Sequence, residues 1–243
     1  MRFLVVLLIM ALFLSSCRRA SSSHSRNERS QKNVVQKVNN EIERGNSRLR
    51  TVIRSNNKLE GREIFDKYAS AVFMVFTSDG TNGFQGSGFF IDNRGLAVSN
   101  YHVFKGTGIG MEKIKLLGSE KFFNVTDIIA KSEKEDFILF RIGCSKTNYI
   151  PIASSKPKIG DRVYAIGSPR GLENTFSSGE VSQWRDNNLM QINVLIDHGS
   201  SGGALINEYG EVVGITSGSF FEGSQANLNY AWSIDVVKKY LNR

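Results

Sequence analysis

The most informative stretch of this chain is residues 197–204, which read Asp-His-Gly-Ser-Ser-Gly-Gly-Ala. They place Ser201 among glycines, and apolar residues flank the stretch. A serine hydroxyl is a weak nucleophile at neutral pH and needs a tight, exposed turn where a base can reach it. Glycines permit such a turn and let backbone N–H groups converge on an oxygen that becomes negative during attack. We interpret Ser201 as a candidate nucleophile, with the N–H groups of Gly199 and Ser201 as its oxyanion hole.

Two upstream segments supply partners for this serine. Residues 99–103 read Ser-Asn-Tyr-His-Val and contain His102, one of three histidines in the chain. Asp136 heads the apolar run 137–140, where an ionised carboxylate needs a partner as water is excluded. The order His, Asp, Ser along the chain is that of the chymotrypsin-type triad.

In this hypothesis His102 takes the proton of Ser201 and later gives it to the leaving amine, while Asp136 fixes the tautomer of the imidazole. Taken singly, each feature has an ordinary structural explanation, because Gly and Ser are common turn residues. Their coincidence favours a triad. The sequence therefore predicts a serine endopeptidase, and the alternative is a non-enzymatic peptide-binding module with slack catalytic geometry.

Four ordered segments resemble the HtrA (Deg) branch of trypsin-like serine proteases. They are residues 86–103 (GSGFFIDNRG, then SNYHV), residues 136–140, residues 160–169 and residues 199–215. The resemblance runs from about residue 62 to the C-terminus. Ser200 and His198 depart from it, because the family usually has Asn before the nucleophile and Pro-Gly before that.

The pattern of short apolar runs predicts an all-β domain. Several runs are rich in β-branched or aromatic residues and are separated by turn residues, which favours a sandwich or barrel. The resemblance adds two packed six-stranded β-barrels with the triad in the cleft between them. Helical spacing predicts short N- and C-terminal helices at residues 63–69 and 233–241. The predicted strands are residues 71–76, 88–91, 96–99, 113–117, 137–142, 162–166, 189–196 and 211–216.

The N-terminal residues predict export and lipid anchoring. A charged start and the apolar run 3–14, too short to span a bilayer, are typical of a cleaved export signal. Residues 14–17, Leu-Ser-Ser-Cys, resemble the bacterial lipoprotein cleavage box, in which the mature chain begins at a lipid-modified cysteine, here Cys17. The alternative is an ordinary cleaved signal with Cys17 incidental. We predict a signal peptide at 1–16, a basic polar tether at 17–60 and the protease domain at 61–243.

The formal net charge of +8 lies mainly in the tether. Residues 17–60 hold 11 Lys or Arg and 4 acidic residues, whereas residues 61–243 hold 19 of each. A basic segment beside a membrane is attracted to anionic lipid, although a merely solvated linker explains the charge equally well. Helical spacing at residues 34–42 and 49–53 predicts two short amphipathic helices there. The neutral domain, with no zinc or RNA-binding motif, disfavours nucleic acid as a partner.

The predicted location is the bacterial cell envelope, with the chain lipid-anchored outside the cytoplasm. Its expected partners are protein or peptide substrates and the membrane, and triad chemistry requires no cofactor or metal. HtrA proteins usually continue into PDZ domains, whereas this sequence predicts none. Many members form trimers through residues ahead of the barrel, so the resemblance leaves a homo-oligomer open.

The resemblance also implies a specificity pocket. Leu195, six residues before the nucleophile, would lie near the base of the pocket for the side chain that precedes the scissile bond. One wall would be formed by Thr216, Ser217, Gly218 and Ser219. An acid at the base would favour Lys or Arg, so Leu195 predicts a preference for small or medium apolar side chains. His198 is expected at the pocket mouth, where it would make activity or affinity sensitive to pH.

Overall fold

The computed structural model describes residues 35–37, 39–43, 58–108, 110–172, 174–218 and 228–241. The chain divides into two units, Met1–Asn56 and Asn57–Arg243. In the first unit, residues 35–37 and 39–43 are helical and exposed, where the sequence predicts the first tether helix. The signal segment, Cys17 and the second predicted tether helix lie outside the described residues. Within the described ranges, no helix has the length and apolarity needed to cross a bilayer.

The second unit is built mainly of β-strands. Its described helices are α1 (Gly61–Tyr68), α2 (Tyr101–Phe104) and α3 (Asp235–Lys238), with 3-10 turns at Ala69–Ala71 and Pro169–Gly171. Its described strands are β1 (Val72–Ser78), β2 (Gly83–Phe90), β3 (Leu96–Ser99), β4 (Lys113–Leu116), β5 (Phe122–Phe123), β6 (Val125–Ser132), β7 (Phe137–Ile142), β8 (Arg162–Gly167), β9 (Thr175–Trp184), β10 (Leu189–Ile192), β11 (Ala204–Asn207), β12 (Val212–Gly218) and β13 (Asn229–Ser233).

These strands form two sheets. The first has seven strands in the order β5-β4-β1-β2-β3-β7-β6, and the second is a closed barrel in the order β10-β13-β12-β11-β8-β9. The prediction of an all-β, trypsin-like fold is confirmed. The first sheet differs in detail from the predicted six-stranded barrel, because it is a curled seven-stranded sheet whose edge strands are β5 and β6. Strand β5 contributes only two residues, both paired with β4, and these provide little backbone for closing a barrel.

The apolar runs are continuous because many strands are buried on both faces. Phe89 and Phe90 are adjacent in β2, yet Phe89 packs in a cluster shared by both sheets and Phe90 packs inside the first sheet. In β11, Ile206 joins the shared cluster and Leu205 lies inside the barrel. Successive side chains of a strand point to opposite faces. The shared cluster therefore joins the two sheets at the boundary where the candidate site lies.

The predicted helices at the two ends of this domain are present but differ in extent. α1 begins at Gly61 and buries Ile64 and Tyr68. α3 covers only Asp235–Lys238, because Ser233 belongs to β13. The Ser233 hydroxyl still accepts a hydrogen bond from the Asp235 N–H at 3.3 Å. Ser233 therefore helps to satisfy the first turn of α3 from the end of the preceding strand.

Candidate active site

His102 and Asp136 are in direct contact where strands β3 and β7 of the first sheet end and begin. β3 and β7 are antiparallel neighbours with Ser99 opposite Ile138, so the end of β3 meets the start of β7. His102 Nδ1 lies 2.8 Å from Asp136 Oδ2, and the His102 backbone N–H donates to Oδ1 at 2.9 Å. The carboxylate therefore holds both the imidazole ring and the main chain of His102.

Asp136 has two further partners. The Ser217 hydroxyl donates to Asp136 Oδ2 at 2.8 Å, and the Asn100 side-chain amide donates to the Asp136 carbonyl oxygen at 2.8 Å. The backbone of Asp136 is left-handed, with a φ of 41°. The Asp136 side chain is 16% exposed and that of His102 is 46% exposed. The sequence predicted Ser217 only as a pocket wall, but the structure places it against the carboxylate from the opposite sheet.

Ser201 lies in the turn before β11, close to the end of β12. The Ser201 carbonyl oxygen accepts a hydrogen bond from the Ser87 N–H at 2.8 Å. A Cβ atom built on Gly218 would lie 3.7 Å from Ser201 Oγ. The candidate nucleophile is therefore beside the residue that follows Ser217, the partner of Asp136. Among the described residues, no hydrogen bond joins His102 to Ser201.

Gly86 shows how closely the segments of His102 and Ser201 approach. A Cβ atom built on Gly86 would lie 2.6 Å from Val103 Cγ1 and 3.2 Å from the Ser201 carbonyl oxygen. A glycine is required where backbone must approach this closely. The helix that carries His102 and the turn that carries Ser201 are thus separated by one glycine of β2.

The turn itself also depends on a glycine. Gly202 has a φ of 87°, and a Cβ atom there would overlap the Ser87 carbonyl oxygen and Ser99 Oγ.

Within the described ranges, the N–H groups of Gly199 and Ser201 have no hydrogen-bond partner. The predicted oxyanion donors are therefore available to a group that enters the turn, and their role stays a prediction.

A cavity of about 460 Å³ lies beside the same turn. The predicted pocket residues Leu195 and Thr216 line it, whereas His198, Ser217 and Gly218 do not. Ser219 lies outside the described residues. Apart from Arg170 and Asp197, the other side chains in the lining are apolar or small. The remaining lining side chains are those of Ala165, Leu172, Thr175, Phe176, Ser177, Ile196 and Ser200.

An ion pair lies at the cavity, between Arg170 Nε and Asp197 Oδ2 at 2.8 Å. The hydrogen bond from the His198 N–H, with Arg170 beside it, holds the pKa of Asp197 below its ordinary value. A depressed folded-state pKa contributes stability above the unfolded pKa, and that stability is lost as pH falls through the folded value. Since the two side chains are 73% and 45% exposed, the contribution is small. Sequence reasoning missed Arg170 because no motif marks it.

The fold is that of a trypsin-like peptidase. Residues 86–215 match the family described as "Trypsin-like peptidase domain". Because this match covers more than half of the 243 residues, the chain belongs to that family.

HtrA-like proteins are among the relatives that the chain resembles. The chain is 30% identical over 184 residues to "Serine protease HTRA2, mitochondrial" of Drosophila ananassae, which is 70% of this chain and 42% of that protein. The Drosophila willistoni protein of the same name is 30% identical over 187 residues, which cover 70% of this chain and 41% of that protein. The crystal structure of the serine endoprotease from Yersinia pestis has a TM-score of 0.67 and 26% identity, over 75% of this chain and 65% of that one. The HtrA-like resemblance is confirmed, and the chain spans about two fifths of the length of the curated relatives.

Proposed function

We propose that this chain is a serine endopeptidase that cleaves peptide bonds through an acyl-enzyme at Ser201. The observation that carries the proposal is the contact between His102 and Asp136, with Nδ1 2.8 Å from Oδ2. A carboxylate that accepts from Nδ1–H leaves Nε2 as the basic nitrogen, which is the form that takes a proton from a serine. Family membership and the position of the candidate nucleophile, in the turn before β11 and beside the end of β12, support the same function.

The proposed reaction has two halves. The Ser201 hydroxyl attacks the peptide carbonyl while His102 accepts its proton, and the N–H groups of Gly199 and Ser201 stabilise the oxyanion. The tetrahedral intermediate collapses as His102 gives that proton to the leaving amine, which leaves an ester at Ser201. Water then attacks the ester, again with His102 as base, and releases the acid product and free Ser201.

The cavity beside the turn supports a preference for apolar residues before the scissile bond. Leu195, Ile196 and Phe176 line it, and its one exposed carboxylate, that of Asp197, is paired with Arg170. An apolar side chain gains free energy by leaving water there, whereas a lysine or arginine would find no unpaired acid in the described lining. The volume of about 460 Å³ would also admit side chains larger than the medium size that Leu195 alone predicts.

The test is digestion of a peptide library, with cleavage sites identified by mass spectrometry. We expect cleavage chiefly after apolar residues, together with labelling by a fluorophosphonate probe that maps to Ser201. Cleavage chiefly after Arg, Lys or Glu would refute the assignment of the pocket. The absence of both cleavage and labelling would refute the enzyme.

The alternative function is a peptide-binding module on the same fold. The observation that favours it is that no hydrogen bond joins His102 to Ser201 among the described residues. Catalytic hydrogen bonds are often long in ligand-free proteases and shorten on substrate binding, so the endopeptidase is the better supported function. A binding module would retain library peptides intact and would not react with the probe.

We also propose that the chain is anchored in the bacterial cell envelope through a lipid on Cys17, where it acts on envelope proteins. The support is the short apolar run 3–14, followed by Leu-Ser-Ser-Cys and a basic tether. Two or more acyl chains anchor a protein stably. When the full sequence is expressed in a bacterial host, we expect a mature chain in the membrane fraction that begins at an acylated Cys17. We expect the Cys17→Ala variant to be released from that fraction. An unmodified Cys17 or an unchanged distribution of the variant would refute the anchor.

A further inference from the structure

Consecutive carbonyl groups of the nucleophile turn, residues 198–201, each accept a hydrogen bond. The His198 carbonyl oxygen accepts from the Arg170 N–H at 2.8 Å, and the Gly199 carbonyl oxygen accepts from the Ser87 hydroxyl at 2.7 Å. The Ser200 carbonyl oxygen accepts from both the Thr216 hydroxyl at 2.7 Å and the Gly203 N–H at 2.9 Å. The Ser201 carbonyl oxygen accepts from the Ser87 N–H at 2.8 Å. The turn is therefore held from both sheets, by β2 on one side and by β12 on the other.

Two of these partners are side-chain hydroxyls, those of Ser87 and Thr216. Ser87 is 0% exposed and Thr216 is 1% exposed. The Ser87 oxygen also accepts a hydrogen bond from the Ser168 N–H at 2.9 Å, so its own hydrogen is left to donate to Gly199. A buried hydroxyl or carbonyl without a partner is costly. Each hydroxyl is thus committed to one carbonyl of the turn.

A hydrogen bond that holds the direction of a carbonyl group also holds the direction of the N–H in the same peptide group. The C=O and N–H of one trans peptide lie in a plane and point in opposite directions. The Ser200 carbonyl, held by Thr216, shares its peptide group with the N–H of Ser201. Likewise the Gly199 carbonyl, held by Ser87, shares its peptide group with the N–H of Ser200, which donates to the Asp197 carbonyl oxygen at 2.9 Å. The direction of the Ser201 N–H is therefore set by Thr216 together with the Gly203 N–H, and Ser87 holds the peptide group between Gly199 and Ser200.

We infer that the buried hydroxyls of Thr216 and Ser87 are positioning residues that orient the peptide groups of the nucleophile turn and so preset the oxyanion hole. This inference rests on the proposed endopeptidase function. It assigns Thr216 a role beyond the pocket wall that the sequence predicted for it. Electrostatic stabilisation depends on donors that are already aimed at the oxyanion before the reaction. Loss of either hydroxyl should therefore slow acylation more than it weakens binding of the substrate.

The decisive comparison is Thr216→Val against Thr216→Ser, since Val keeps the shape and loses the hydroxyl whereas Ser keeps the hydroxyl. Loss of a whole oxyanion donor costs about 100- to 1000-fold, and a misaligned donor should cost less, so we expect kcat to fall about 10- to 100-fold in Thr216→Val. KM should stay near that of the unmodified chain, and Thr216→Ser should restore most of kcat. Ser87→Ala should lower kcat less than Thr216→Val, because the peptide group that Ser87 holds carries the Ser200 N–H, which is not a predicted oxyanion donor.

The structural contribution of a lost hydroxyl is measured separately with Thr147→Val. The Thr147 hydroxyl donates to the Asp92 carbonyl oxygen at 3.1 Å, so this variant removes the same type of bond away from the turn. We expect a lower melting temperature without a fall in kcat.

A second readout uses a peptide aldehyde, whose adduct with Ser201 carries an oxygen into the oxyanion hole. Its affinity should fall with kcat in Thr216→Val, while the affinity for a cleavage-product peptide should not.

Two outcomes would overturn the inference, and they are distinguishable from failure of the proposed function. If Thr216→Val keeps kcat and aldehyde affinity within about threefold of the unmodified chain, a change below the cost of one donor, the hydroxyl only stabilises the fold. If Thr216→Ser is as slow as Thr216→Val, packing around the side chain and not the hydroxyl controls the rate. If the unmodified chain neither cleaves the library nor binds the aldehyde, the endopeptidase itself is wrong and the inference falls with it.

Discussion

Replacing Ser201 by alanine is expected to lower kcat for peptide hydrolysis by about 10⁶-fold, because the atom that forms the acyl-enzyme is removed. The fold should survive, since Ser201 holds the turn through its main chain, whose carbonyl oxygen accepts a hydrogen bond from the Ser87 N–H. Peptide binding should persist because Leu195 and its neighbours in the cavity are unchanged. The measurement is single-turnover hydrolysis of the best library peptide, with KD determined separately on the same variant.

The neighbouring Ser200 provides the matched control. Both residues are serines in the same turn, and Ser200 is 8% exposed and contributes its carbonyl oxygen to the bond with Thr216. Ser200→Ala keeps that carbonyl, so we expect it to retain most of the activity and the reaction with the fluorophosphonate probe. Loss of probe labelling in Ser200→Ala and not in Ser201→Ala would show that the nucleophile has been assigned to the wrong serine.

Some of the strands that are buried on both faces were predicted closely. The bounds predicted for β3 and β7 agree with the structure at both ends, because these strands are short apolar runs between turn residues. The predicted strand at 189–196 ends earlier, at Ile192, since the following residues form the approach to the nucleophile turn. Burial on both faces does not by itself make a strand recognisable in its own sequence, because β11 and β13 are also buried on both faces and were not predicted.

Strands rich in polar or exposed positions were missed. β6 has mostly exposed or half-buried side chains and lies at the edge of the first sheet, and β9 has one buried residue, Val181, in ten. Such strands are defined by their hydrogen-bonded neighbours, and β9 pairs along its length with β8 and β10. A local pattern cannot contain that information, because the partner strands are distant in sequence.

For the candidate site, the residue types and one long-range pairing were predictable, and the other long-range contacts were not. The sequence paired His102 with Asp136, and the structure brings these two side chains into contact. It gave no indication that Ser217 binds the same carboxylate, or that the Asp136 backbone is left-handed. These features arise where the two sheets meet, and nothing in the local sequence of either segment marks them.

Asp136→Asn is expected to lower kcat by about 10⁴-fold while leaving the fold intact. Three donors surround the carboxylate, namely the His102 backbone N–H at Oδ1, and His102 Nδ1–H and the Ser217 hydroxyl at Oδ2. The backbone N–H cannot reverse its role, so the asparagine oxygen should take the Oδ1 position and its NH₂ should face the imidazole. His102 Nδ1 must then accept, which places the ring proton on Nε2 and removes the base that Ser201 needs.

The control for this tautomer argument is Ser217→Ala, which removes one donor and leaves the carboxylate able to accept from His102 Nδ1–H. Its kcat should fall far less than that of Asp136→Asn, because the basic nitrogen still faces the nucleophile. Both variants should unfold near the temperature of the unmodified chain, which a thermal melt monitored by circular dichroism would check. Equal losses of kcat in the two variants would contradict the tautomer argument, because Ser217→Ala leaves the carboxylate able to accept from His102 Nδ1–H. A kcat near normal in Asp136→Asn would remove Asp136 from the catalytic machinery and would leave His102 to be oriented by another group.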